Sequence, residues 1–98
     1  MAKLKIRWSL RATSELNRIL TFYNVRNGNS KYSRSLMTMI KDCLKLVTKY
    51  PHMYQATAIE DTRAFVCEYF KIYYSIHDAY VEVEAVFDIR QDPEKQPF

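Results

Sequence analysis

Glycine and proline are scarce in this sequence, one and three residues among 98. That scarcity excludes a collagen-like or Pro/Gly-rich disordered chain. Long apolar runs are missing too, and no stretch approaches the roughly 20 residues that a membrane helix needs. Lys3, Lys5 and Arg7 at the N-terminus have no apolar stretch behind them, so they do not read as a signal peptide. The expected location is therefore cytoplasmic, with no membrane partner. Cysteine occurs only as Cys43 and Cys67, with no histidine spaced beside them as a zinc ligand. Both read as buried free thiols rather than as a metal site or a disulfide. A Gly-rich phosphate loop, a Ser-His-Asp order and a metal-ligand cluster are all missing, so no metal and no cofactor is expected. Histidine, the usual general base near neutral pH, occurs only as His52, just after Pro51, and His77, in an expected hairpin turn. Both positions read as solvated.

Acidic residues are nearly missing from one half of the chain. Residues 1–50 hold eleven Lys and Arg against Glu15 and Asp42, a balance of +9; residues 51–98 hold four against nine, a balance of −5. A split of this kind suits one face for a polyanion and another for a different partner, or simply a solvated helical surface. What the chain has in quantity is apolar and aromatic mass. Apolar residues make up 48% of it, with eight Tyr and five Phe, enough for the core of one domain spanning residues 1–98.

The hydropathy period changes along the chain. Residues 3–8 alternate Lys3, Lys5, Arg7 with Leu4, Ile6, Trp8, the pattern of a strand with one wet face. Ser9 suits an N-cap. From Leu10 to Asn27 the apolar residues Ala12, Leu16, Ile19, Leu20 and Tyr23 share one helical face, and Gly28 suits the left-handed position beyond the helix end. A second helix is expected from Lys31 to Lys49, with the stripe Tyr32, Leu36, Ile40, Cys43, Leu44, Val47, before Pro51 stops it. The two helices make an antiparallel hairpin. Beyond it, Gln55 to Ile59 reads as a short extended piece, followed by strands from Arg63 to Phe70, Lys71 to His77 and Tyr80 to Ile89. On the last strand, Val81, Val83, Ala85, Phe87 and Ile89 are expected on one face, with Glu82, Glu84 and Asp88 on the other. The fold class is α+β, in the order β-α-α-β-β-β, with the helical hairpin packed on a mainly antiparallel four-stranded sheet whose edge the first strand joins.

Several of these features, in this order, resemble the RelE/ParE toxins of bacterial type II toxin–antitoxin systems. They are the opening strand ending in Trp8, the helix with Ala12, Leu16, Ile19 and Tyr23, and the second helix closing on Tyr50-Pro51. Arg63 follows after a short spacer, then the strand Tyr69-Phe70-Lys71-Ile72-Tyr73-Tyr74, and finally Val86-Phe87-Asp88-Ile89-Arg90-Gln91-Asp92-Pro93. The resemblance covers nearly the whole chain. It implies a toxin that arrests growth when free and a cognate antitoxin as partner. RelE-like members cut mRNA on the ribosome, whereas ParE-like members block DNA gyrase and are not enzymes.

Ribosome-dependent, metal-independent mRNA cleavage is the leading expectation. The alternatives are a gyrase inhibitor and a degenerate, non-toxic co-repressor. Cutting RNA requires the in-line geometry held, the phosphate charge neutralised and protons moved at both oxygens. The resemblance places Arg63, Lys71 and Arg90 at phosphate-binding positions. Tyr73, opposite the inward Tyr74, is the expected exposed phenol. Asp88 would orient Arg90, or act as a base if its pKa rose. Lys31, Arg34, Lys41, Lys45 and Lys49 on the second helix form a candidate RNA- or polyanion-binding row. Three features run against cleavage: Asp88 stands where many members have His, neither His nor Tyr follows Arg90, and the paired basic residues of the first meander strand are reduced to Arg63, with Ala64 and Val66 following.

Overall fold

The structure is a computed structural model that describes residues 4–59 and 61–90. Lys3 of the opening strand and Gln91-Asp92-Pro93 of the closing motif lie outside those residues. The chain runs β1 (Lys5–Trp8), α1 (Leu10–Asn27), α2 (Lys31–Lys49), β2 (Gln55–Ala56), β3 (Thr62–Cys67), β4 (Phe70–Ile76) and β5 (Tyr80–Asp88). The five strands form one sheet in the order β1-β5-β4-β3-β2. Only the β1–β5 pair is parallel. The expected α+β architecture is therefore present, with five strands rather than four, because Gln55 and Ala56 pair with Ala64 and Arg63.

Local chemistry explains the helices. Ser9 Oγ accepts from the Ala12 backbone N–H at 3.0 Å, satisfying a donor that the helix itself cannot. Gly28 takes φ 71° at the end of α1, where a Cβ would be strained. Asn29 Oδ1 accepts from the Lys31 N–H at 3.0 Å and so starts α2. Leu16, Ile19 and Tyr23 of α1 meet Leu36, Ile40, Leu44 and Val47 of α2 over Phe65, Phe70, Ile72, Tyr74, Val81 and Val83 of the sheet.

Two features of the sheet differ from the pattern read in the sequence. The β3–β4 hairpin turns at Glu68 and Tyr69, so Phe70 opens β4 instead of closing β3. Glu68 has φ 57°, a conformation usually marked by glycine, and no glycine was there to signal it. The second difference is a bulge between β4 and β5. Tyr73 pairs with Ala85 while Tyr74 pairs with Val83, leaving Glu84 as the extra residue. The alternation of β5 reverses past that point. Val86 and Asp88 face the helices, and Ala85 and Phe87 face away, contrary to the strict alternation expected along Tyr80 to Ile89. Two α1 side chains repair the interrupted ladder. Ser9 Oγ donates to the Glu84 carbonyl at 3.1 Å, and the Val86 N–H donates to Glu15 Oε1 at 3.0 Å.

Candidate functional site at the end of the last strand

The bulge has a chemical consequence: it turns the Asp88 side chain inward, where only 1% of it is exposed. A buried carboxylate is costly unless it is paired and hydrogen-bonded. Here it is both. Tyr23, on the inner face of α1, donates its phenol proton to Asp88 Oδ2 at 2.5 Å. The Arg90 backbone N–H donates to Asp88 Oδ1 at 2.9 Å, and the Arg90 guanidinium lies 3.5 Å from the same oxygen.

Arg90 is the centre of this cluster. Its Nη2 donates to the Tyr23 phenol oxygen at 2.6 Å and to that of Tyr32 at 3.4 Å. The guanidinium carbon stands 4.1 Å above the Tyr69 ring, with the Tyr23 and Phe70 rings at 5.6 and 5.9 Å. The side chain keeps 42% of its surface exposed. Arg90 is thus a pre-oriented cation, held by a buried carboxylate on one side and an aromatic floor on the other. Its pKa is raised: burial alone would lower it, but the Tyr32 hydrogen bond and the nearby Tyr23 and Asp88 outweigh that. The Tyr23 phenol is pushed up to about 12, by burial first and then by its bond to Asp88. It stays protonated at neutral pH and cannot act as a base there.

The other candidate residues lie elsewhere. Arg63 shares the helix-facing side of the sheet but points at the loop after α2. It donates to the Tyr54 carbonyl at 2.6 Å and to that of His52 at 3.4 Å. It pairs with Tyr74, four residues along β4 from the Phe70 ring under Arg90, or roughly 13 Å of strand. Lys71 and Tyr73 sit on the opposite face, where the ammonium lies 5.3 Å from the Tyr73 ring centroid. The Tyr73 phenol expected to be exposed is fully buried, at 0%. It meets Phe87 edge to face at 6.0 Å, because the bulge carries Phe87 onto that face. Arg63, the Lys71–Tyr73 pair and Arg90 therefore form three separate places.

Lys31, Arg34, Lys41, Lys45 and Lys49 are all exposed along α2. Among the described residues, the ion pairs are Arg11–Glu15 and Arg90–Asp88, so this row carries no neutralising partner. His52 and His77 are exposed, as expected. Among the described residues no group of three His, Cys, Asp or Glu side chains could hold a metal, and no helix is long and apolar enough to cross a membrane.

The roles of Tyr23 and Tyr69 were not visible in the sequence. Tyr23 was read as an ordinary core position of α1, and its partner lies 65 residues further on. Tyr69 falls within the strand expected from Arg63 to Phe70, whereas it occupies a turn.

No family profile and no curated protein sequence matches this chain. Solved structures do. One chain from the chromosomal ParDE TA system of P. aeruginosa superposes with a TM-score of 0.74 at 13% identity, covering 88% of this chain and 96% of that one. A chain of the YoeB dimer from Staphylococcus aureus gives 0.60 at 13% identity, covering 86% and 94%. The chain shares the fold of these two structures. The architecture implied by the resemblance in sequence is the one observed, over nearly the full length of both neighbours.

Proposed function

We propose that this chain is the toxin of a type II toxin–antitoxin pair and that it arrests growth by binding its target, DNA gyrase, rather than by cutting RNA. The separation of Arg63, Lys71, Tyr73 and Arg90 carries this reading. Cleavage needs a base, an acid and a charge clamp converging on one phosphate. Here the half-exposed Arg90 is surrounded by a phenol held neutral and by a carboxylate already occupied. Tyr73 is buried on the far face, and Arg63 serves a loop. The likeness to a chain of a ParDE TA system supports the toxin–antitoxin part of this reading. A binding toxin needs an accessible surface instead, and the hairpin offers one: Phe22 and Val25 of α1 and the cationic row of α2 are exposed. A cognate antitoxin is the second partner this reading requires.

One observation favours RNA cleavage as the second reading. Arg90 is half-exposed beside the exposed ring of Tyr69, an arrangement that suits a phosphate next to a stacked base. Inducing the toxin alone and following methionine and thymidine incorporation in parallel separates the two. An early fall in thymidine uptake with translation still running is the expected result. An early fall in methionine uptake with cut transcripts overturns the proposal. A Lys71→Ala variant adds a check, since it should remain fully toxic. Loss of toxicity with the fold and antitoxin binding intact would return the sheet to a catalytic role.

A further inference from the structure

Cys43 and Cys67 were read from the sequence as two unrelated buried thiols. The fold brings them together. Cys43 lies on α2 and Cys67 on β3, and their sulfurs are 2.9 Å apart with both thiols free. Cys67 is buried, with its Sγ also 3.8 Å from the Met39 carbonyl. Cys43 is half-buried and lines a shallow depression on α2 with Arg34, Ser35, Thr38, Met39 and Asp42. One thiol is therefore reachable from solvent and the other waits behind it.

We infer that this pair is an oxidation site, at which hydrogen peroxide converts the two thiols into an intramolecular disulfide linking α2 to β3. Closing the bond requires the sulfurs to approach by about 0.9 Å, to the usual length near 2.05 Å. The reachable Cys43 reacts first. Its thiolate, having passed its proton to water, attacks one peroxide oxygen. The O–O bond breaks and, with one proton taken up, one water leaves, so that Cys43 becomes a sulfenic acid. The Cys67 sulfur then attacks the Cys43 sulfur. The S–O bond breaks, and the hydroxyl leaves as a second water with the Cys67 proton. In sum, two thiols lose two electrons and two protons, and one peroxide becomes two waters. Burial pushes the Cys67 thiol up to about 12, so it is not the thiol that meets peroxide first. In a reducing compartment such a bond is transient, formed under oxidant and lost afterwards.

The position gives the bond a structural reach. Cys67 pairs with Phe70 across the β3–β4 hairpin, and the turn between them carries Tyr69, on which the Arg90 guanidinium rests. A closed bond ties the middle of α2 to the strand end that carries the Arg90 platform. The inference does not depend on which target the toxin has.

The test uses the purified full chain and hydrogen peroxide. Free thiols are counted by alkylation, and an unreduced digest is searched by mass for a peptide linking Cys43 to Cys67. Expected are loss of both thiols together, a linked peptide whose yield is independent of protein concentration, and a rise in Tm that dithiothreitol reverses. In the Cys67→Ser variant the Cys43 sulfenic acid should persist and be trapped by dimedone. The inference is overturned if both thiols remain alkylatable, if wild-type Cys43 stops at a sulfinic acid, or if links form only between molecules. The wild-type result decides the matter even if the variant fails to fold.

Discussion

At the scale of single residues, the same kind of side chain does different work according to where the sheet puts it. Arg63 and Arg90 were both expected to bind phosphate. Arg63 instead ties the loop after α2 to β3 through the Tyr54 and His52 carbonyls. A charged donor on a partly buried carbonyl is worth about 2 kcal/mol. Arg63→Ala should therefore lower stability by about that amount, read as a lower urea midpoint, with toxicity per folded molecule unchanged. Toxicity lost at full stability would put Arg63 back at the target surface. The resemblance supplied the position of Arg90 in the sequence, and the structure places its guanidinium 3.5 Å from Asp88. Tyr23 was not legible. Helical spacing tells which residues face inward, not which inward residue meets a buried charge.

At the scale of elements, most of the architecture was readable because it rests on local rules. Ser9, Gly28 and Pro51 delimit the helices by capping and backbone chemistry within a few residues of each boundary. Two backbone irregularities were not readable, and both lack the residue that would betray them. The bulge at Glu84 depends on Ser9, the N-cap of α1, donating and Glu15 of α1 accepting where the ladder fails, and neither appears in the pattern of β5. The β3–β4 turn has a positive φ at Glu68 but not at Tyr69, a side chain where two-residue hairpins favour glycine. The left-handed region costs a non-glycine residue about 1 kcal/mol or more. Glu68→Gly should relieve that strain and raise the urea midpoint by an amount corresponding to roughly 0.5 to 1 kcal/mol. An unchanged or lower midpoint would mean that Glu68 gains in this turn more than the backbone loses.

At the scale of the whole molecule, the charge split of the sequence becomes a division between layers: the cations of residues 1–50 lie largely on the helical hairpin, the acids mostly on the sheet and its turns. Between the layers lies a core with protonated groups whose ionisation would oppose folding. Tyr23 and Tyr74 are both pushed up from 10 to about 12, chiefly by burial, and Cys67 rises from 9 to about 12 for the same leading reason. Raised folded-state values mean that the native protein holds these protons after the unfolded chain has lost them. Their contribution is fully present below about pH 9, where both states are protonated. It declines as pH rises from there towards 12, because the unfolded state then binds fewer protons than the native one. Each tyrosine contributes on the order of 2 kcal/mol across that interval, so together they represent a large share of a small domain's stability. The urea midpoint should hold steady from about pH 7 to about pH 9 and then fall steeply by about pH 11. Tyr74 also donates to the Pro51 carbonyl at 2.6 Å, so Tyr74→Phe should cost stability at neutral pH and yet flatten the alkaline decline. A midpoint independent of pH up to about 11, or a Tyr74→Phe profile as steep as that of the native chain, would mean that these phenols ionise in the folded protein much as they do in the unfolded one.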